Sequence, residues 1–156
     1  MTTKTPITGL DDLPGHYIRR LQQIAVGVFL DEAEDLNITP VQFALLSAAS
    51  RQAGLDQRTL AGRIGLDTST IGALVDRLES RDLIERKVSP EDKRVRLLSV
   101  TPAGQKLLED VMPAVLRAQE RMLAPLPKAE RKQFMAMVRR IVEANNHLSR
   151  AAKEAG

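Results

Sequence analysis

Arg86, Lys87, Lys93, Arg94 and Arg96 crowd into one short stretch of the chain, broken by Ser89-Pro90-Glu91-Asp92. Ser89 to Lys93 is turn chemistry, and the flanking segments Leu83 to Val88 and Val95 to Val100 fit strands. The stretch therefore reads as a β-hairpin with a charged tip. A guanidinium at such a tip can enter the minor groove of DNA, where negative potential is enhanced as the groove narrows. Arg94, beside Lys93, is the candidate. Asp92 would repel phosphate, so it needs another task, and holding the Arg94 side chain or the turn backbone is one. Arg86, Lys87 and Arg96 read either as phosphate contacts, which set affinity and salt dependence, or as scaffold ion pairs.

Two further groups carry chemistry. Thr68, Ser69 and Thr70 follow Asp67 at a helix start. Short hydroxyls there can bond phosphates or base edges, and a methyl can meet the thymine methyl, though the same residues suit any first helical turn. Arg77, two turns on, can reach phosphate or a guanine edge, or pair with Asp76 or Glu79. Nearer the N-terminus, His16, Arg19 or Arg20, and Gln23 share one helical face, with Tyr17 beside them. Such a cluster can hold a carboxylate, with an aromatic ring packed near Phe43 and with Arg51 facing the same space. The alternative is a solvated face with inter-subunit ion pairs.

The elements that position these groups follow from spacing. Leu21, Ile24, Ala25, Val28 and Phe29 recur at helical period, predicting a first helix from Leu13 to about Asp35. Thr39-Pro40 restarts the chain as a second helix that fades near Gly54. Asp56 caps a short third helix, Gln57 to Ile64, ended by Gly65. Asp67 caps a fourth from Thr68 to about Arg81, striped by Ile71, Leu74, Val75 and Leu78. Two short helices around a glycine turn are a helix-turn-helix, and the hairpin after them is a wing. Thr101-Pro102 starts a fifth helix, with a kink or break expected at Pro113. Pro125-Leu126-Pro127 separates a last helix bearing Phe134, Met137, Val138, Ile141, Val142 and Leu148. The end helices expose apolar stripes that the central module cannot cover, and pairing two chains covers them.

Composition narrows the function classes. The chain has 156 residues, of which 43% are apolar and 3% aromatic, a palette for packed helices. Its net charge of +3 is compatible with nucleic acid. Cysteine is absent, which excludes disulfides and thiolate metal sites, and the two histidines have no ligand spacing. The sequence offers no nucleophile motif, phosphate-binding glycine loop or metal cluster, so no enzyme and no cofactor are expected. No apolar run reaches membrane-spanning length and no secretory leader pattern is present, so a cytoplasmic protein is expected.

Leu60 to Ile71, Leu74-Val75-Asp76-Arg77-Leu78-Glu79, Leu83-Ile84-Glu85-Arg86, and Asp92-Lys93-Arg94 followed by Leu98 to Gly104 together resemble the multiple-antibiotic-resistance regulator (MarR) family. Their order and spacing run through about a third of the chain. Asp82 stands where the family often has glycine. Gly72-Ala73 replaces larger, often polar groups on the recognition helix. The resemblance implies a homodimer of winged helix-turn-helix lobes on a palindromic operator of double-stranded DNA. It further implies a repressor released by a small, often aromatic and anionic ligand, seated between the dimerisation and DNA-binding regions.

The sequence thus predicts a mainly α fold with a small β-hairpin wing. Residues 1–11 form a flexible arm, 12–36 and 102–156 a helical dimerisation region, and 37–101 the winged helix-turn-helix. Thr68, Ser69, Thr70, Arg77, Arg86, Lys93, Arg94 and Arg96 are the DNA candidates. His16, Tyr17, Arg19, Arg20, Gln23, Phe43 and Arg51 are the ligand candidates. The competing reading is an architectural DNA-binding protein without an effector, which would suit a stronger positive charge and has no use for the polar stripe on the first helix.

Overall fold

The computed structural model describes residues 9–149. Its helices are α1 (Pro14–Glu32), α2 (Pro40–Arg51), α3 (Gln57–Ile64), α4 (Thr68–Ser80), α5 (Pro102–Leu123) and α6 (Lys128–Asn145). Its strands are β1 (Leu55–Asp56), β2 (Ile84–Val88) and β3 (Arg96–Val100), in the antiparallel order β1-β3-β2.

Helix starts follow the capping residues. Thr39 and Gln42 form a reciprocal capping box on α2. Asp56, Asp67 and Thr101 each accept a backbone N–H three residues on, sealing α3, α4 and α5. Gly65 closes α3 in the left-handed region, with φ of 73°. The core lies where α2, α3, α4 and the sheet meet. Leu45, Leu46, Leu60, Ile71, Val75, Leu78, Ile84 and Leu98 are buried there, each worth roughly 1.5–3 kcal/mol relative to exposure. A second layer joins Phe29 of α1 and Ala33, the residue that caps its C-terminus, to Val111, Ala114, Val115 and Ala118 of α5.

The junction between wing and α5 is closely packed. Asp82 sits in the left-handed region at φ 57°, a conformation that Asp tolerates better than most residues. The Thr101 hydroxyl donates to the Asp82 carbonyl, and the Thr101 N–H donates to Leu83 O at 3.2 Å. A Cβ on Gly104 would sit on the Leu83 carbonyl and 2.7 Å from Val100 Cγ1. Only glycine lets α5 approach this closely.

Three expectations change. The sheet has a third strand: Gly54, at φ 80°, turns the chain so that its N–H reaches Leu98 O at 2.9 Å, and Leu55 and Asp56 pair with β3. Two residues are too few to leave an alternation pattern. α1 ends at Glu32, and a separate 3₁₀ turn, Glu34–Leu36, leads to Asn37 at φ 47°. Pro113 does not break α5, which runs unbroken from Pro102 to Leu123. Pro113 faces solvent, where water can satisfy the carbonyl it leaves free, while the opposite face of α5 is held by burial. Leu10–Asp12, at the end of the segment expected to be a flexible arm, forms an exposed 3₁₀ turn. The rest of that expectation, residues 1–8, lies outside the described residues.

Candidate nucleic-acid interface

Asp67 builds the start of α4. It accepts the Thr70 N–H at 2.7 Å and the Ser69 hydroxyl at 2.9 Å through the same carboxylate oxygen. Thr68, Ser69 and Thr70 are exposed, as is Ala73, while Ile71, Leu74, Val75 and Leu78 are buried. One face of α4 is therefore fixed in the core and the other is presented outward. Ser69 has its hydroxyl donated to its own cap, so its outward capacity is as an acceptor.

The wing tip is organised by Asp92. Its carboxylate accepts the Arg94 backbone N–H at 3.0 Å and the guanidinium at 3.1 Å through Nε and through NH2. This holds the Asp92 carboxyl below its ordinary value of 3.8, chiefly through the Arg94 side chain. Arg94 itself remains 90% exposed, so Asp92 aims the guanidinium without burying it. Arg96 NH1 donates to Lys93 O at 2.8 Å, bracing the turn from the far strand. The Lys93 and Lys87 side chains are exposed, and Lys87 pairs with Glu85 at 3.6 Å.

These two features border one cleft of about 300 Å³. Thr68 and Ile71 of α4, Arg94 and Arg96 of the wing, and Gln57 and Arg58 of α3 line it. Gln57 Oε1 is buried beside it with no hydrogen-bond partner among the described residues. Gln57 and Arg58 were not singled out from the sequence, because they read there as ordinary first-turn residues of α3. Asp56, which also lines the cleft, is pushed up by burial. Hydrogen bonds from Thr59 and from local backbone N–H groups outweigh that and hold it below its ordinary value.

Arg86 and Arg77 have separate environments. Arg86 takes the scaffold alternative, bonding both Asp76 and Glu79 of α4. Arg77 therefore loses the two carboxylates that were its own alternative partners. Its side chain makes no ion pair or hydrogen bond among the described residues, and it stands exposed between them.

The ligand candidates do not converge within one chain. His16 and Tyr17 form an edge-to-face pair at 5.4 Å near the exposed start of α1. Arg19, Arg20 and Gln23 are exposed beside them. Phe43 instead packs on Phe29 at 6.0 Å. Phe29 lies about 140° around α1 from His16 at 3.6 residues per turn, on the buried side. Arg51 lines a third place, a cleft of about 460 Å³ between α2 and α5, with Ser47, Ser50, Gln105, Leu108, Glu109 and Met112. There the Ser50 hydroxyl donates to Gln105 Oε1 at 2.7 Å. The sequence signal for this cleft is Ser47, Ser50 and Arg51 at positions i, i+3 and i+4.

Among the described residues no helix is long and apolar enough to cross a membrane. Residues 38–95, from the end of the turn before α2 to the wing tip, match the model of the MarR family. The PcaV transcriptional regulator from Streptomyces coelicolor, in complex with its natural ligand, is 34% identical, over 90% of this chain and 99% of its own, with a TM-score of 0.79. The transcriptional repressor CouR of Rhodococcus jostii RHA1, bound to a 23-mer DNA duplex, is 27% identical, over 90% and 99%, with a TM-score of 0.81. BpsR of Bordetella bronchiseptica, whose DNA binding is regulated by 6-hydroxynicotinic acid, is 26% identical, over 86% and 96%, with a TM-score of 0.81. With one family spanning the winged module and relatives aligned over nearly the whole described chain, this protein belongs to the MarR family of transcriptional regulators.

Proposed function

We propose that the protein is a homodimeric repressor that binds a palindromic operator and is released by a small aromatic, anionic effector. The observation that carries the DNA half is the shared cleft. The first turn of α4 and the Arg94 wing border one concave surface, so a duplex seated there meets both at once. Thr68, Ser69, Thr70 and Arg77 then face the major groove. Arg94 enters the adjoining minor groove, and Lys93 and Arg96 lie near the backbone. Two lobes must meet major grooves one turn apart, roughly 34 Å, which makes the dimer spacing the quantity that an effector can change. CouR on its DNA duplex supports the same use of the fold.

The effector half rests on the Arg51 cleft and on the exposed stripe of His16, Tyr17, Arg19, Arg20 and Gln23. Both place cations beside aromatic or apolar surface, the chemistry that holds an aromatic carboxylate. PcaV in complex with its natural ligand, and BpsR with its regulation by 6-hydroxynicotinic acid, support it. The mechanism is a population shift: the effector binds better to a lobe spacing that misfits the operator. The protein works by binding in the cytoplasm rather than by turnover.

The test is an operator mobility shift across a panel of aromatic acids, with wild type and Arg20→Ala. Release by at least one acid, weakened in Arg20→Ala, is expected. Release by no compound in a broad panel overturns the effector reading and leaves a constitutive DNA-binding protein.

A further inference from the structure

Arg86 is basic and lies on the wing, yet its guanidinium is turned onto α4 and only 26% of its side chain is exposed. Its Nε and NH2 donate to the Glu79 carboxylate at 3.3 and 2.9 Å, and NH2 also bonds Asp76. Its backbone N–H donates to Glu79 Oε2 at 3.3 Å. Asp76 and Glu79 are one turn apart on the second half of α4, and Arg86 is the middle residue of β2, paired with Leu98. We propose that Arg86 is a positioning residue for operator recognition: it locks the wing to the recognition helix at the angle that lets Arg94 and the first turn of α4 engage DNA together.

The geometry gives the reason. From Arg86 to the turn at Pro90 the hairpin extends about 13 Å, at 3.3 Å per residue. A rotation of about 10° at the clamp displaces the tip by about 2 Å. That is enough to break a hydrogen bond whose partners must lie near 3 Å. The hairpin root is set by buried Leu83, Ile84 and Leu98, but Lys87, Val88 and Arg94 are exposed and gain no packing of their own. Glu79 fixes both the backbone and the side chain of residue 86, which restrains position and twist together. The arrangement needs a planar fork, since a lysine ammonium cannot make the parallel bonds to Glu79 while also reaching Asp76. Glu79 is held below its ordinary value first by the hydrogen bond from Arg86, so the clamp stays charged at neutral pH.

The proposal rests on the DNA-binding reading above, and one experiment separates the two. A duplex is selected from a random pool by the wild-type protein. Affinity for it and for an unrelated duplex is measured at fixed salt for wild type, Arg86→Ala, Arg86→Lys and Glu79→Gln, each with and without Arg94→Ala. Thermal melts monitor folding. Arg86→Ala, Arg86→Lys and Glu79→Gln are each expected to weaken operator binding roughly tenfold, within the range for loss of a specific contact. Binding of the unrelated duplex should change less than about threefold, because that term tracks charge rather than wing geometry and each variant alters at most one charge, away from the duplex. The sign for Glu79→Gln is the decisive part: deleting a carboxylate from a DNA-facing module tightens binding unless geometry is lost. The Arg94→Ala penalty should also shrink severalfold in the Arg86→Ala background, which a general loss of stability would not produce.

A direct phosphate contact predicts the opposite. Arg86→Ala would weaken both duplexes and lower the salt slope by about one, Arg86→Lys would retain binding, and Glu79→Gln would be neutral or tighter. That pattern, or variants that bind as wild type, overturns the proposal. If Arg86→Ala fails to fold, Glu79→Gln and Arg86→Lys decide it. A wild-type protein that selects no duplex defeats the DNA-binding reading itself and the proposal with it.

Discussion

Helices α4 and α6 carry apolar stripes of the same period, yet α4 buries Ile71, Leu74, Val75 and Leu78 in its own chain while α6 buries none of its residues. The stripe of α4 meets α3, β2 and the core beneath. That of α6 leaves Met137, Ile141 and Val142 more than half exposed. An ion pair holds the corner before it: Arg131 bonds Glu120 at 2.8 Å and donates to Leu126 O at 2.8 Å. α6 is thus positioned by its chain but not covered by it. The winged module buries its apolar stripe within one chain, whereas the terminal helix leaves its stripe exposed.

That contrast can be broken most sharply at α6. Val138→Asp with Ile141→Asp should abolish the dimer while leaving the helical circular dichroism of the winged module in place. Light scattering at micromolar protein reads the mass, and a persisting dimer would place the seam elsewhere. In the winged module the opposite is expected. Leu46→Ala, at a fully buried site, should cost about 2–5 kcal/mol in urea unfolding, because the cavity it leaves cannot be filled from solvent.

Gly104→Ala tests the junction between the two regions. Overpacking against the Leu83 carbonyl should cost about 1–3 kcal/mol, and the wing should exchange its amide protons faster. A smaller effect is expected at Thr39→Ala, about 1 kcal/mol, from loss of the α2 cap. The slightest effect is the acid response of the flanking region. Arg117 first, then Arg121, hold the Glu32 carboxyl below its ordinary 4.5 by hydrogen bonding. Because the folded value is the lower one, this contribution is complete above about 4.5 and is lost as pH falls through the depressed value. Glu32→Gln should flatten the dependence of melting temperature on pH in that acid window. An unchanged profile would show that the α1–α5 ion pairs add nothing measurable.

Local chemistry explains what could be read from the chain. Caps at Thr39, Asp56, Asp67 and Thr101 are properties of a residue and its next three neighbours, so the helix starts were legible. The Gly65 turn and the role of Asp92 toward Arg94 were legible for the same reason, since both are closed within a few residues. β1 was not, because its pairing with Leu97 and Leu98 is formed across more than forty residues and leaves no local pattern. The ligand candidates show a related limit. Helical spacing groups His16, Arg20 and Gln23 on one face but says nothing of which face the fold buries. Phe43 and Arg51 proved to serve two other places.

The sequence by itself determined the main helices, their capped starts, the charged hairpin and the family, since each is fixed by short-range spacing and by the order of motifs along the chain. Only the tertiary structure decided between equal chemical options. It gave Arg86 to Asp76 and Glu79, left Arg77 outward, and set Gly104 against Leu83. The physical reason is that a guanidinium serves phosphate and carboxylate alike, and which it meets depends on what packing brings within hydrogen-bonding distance.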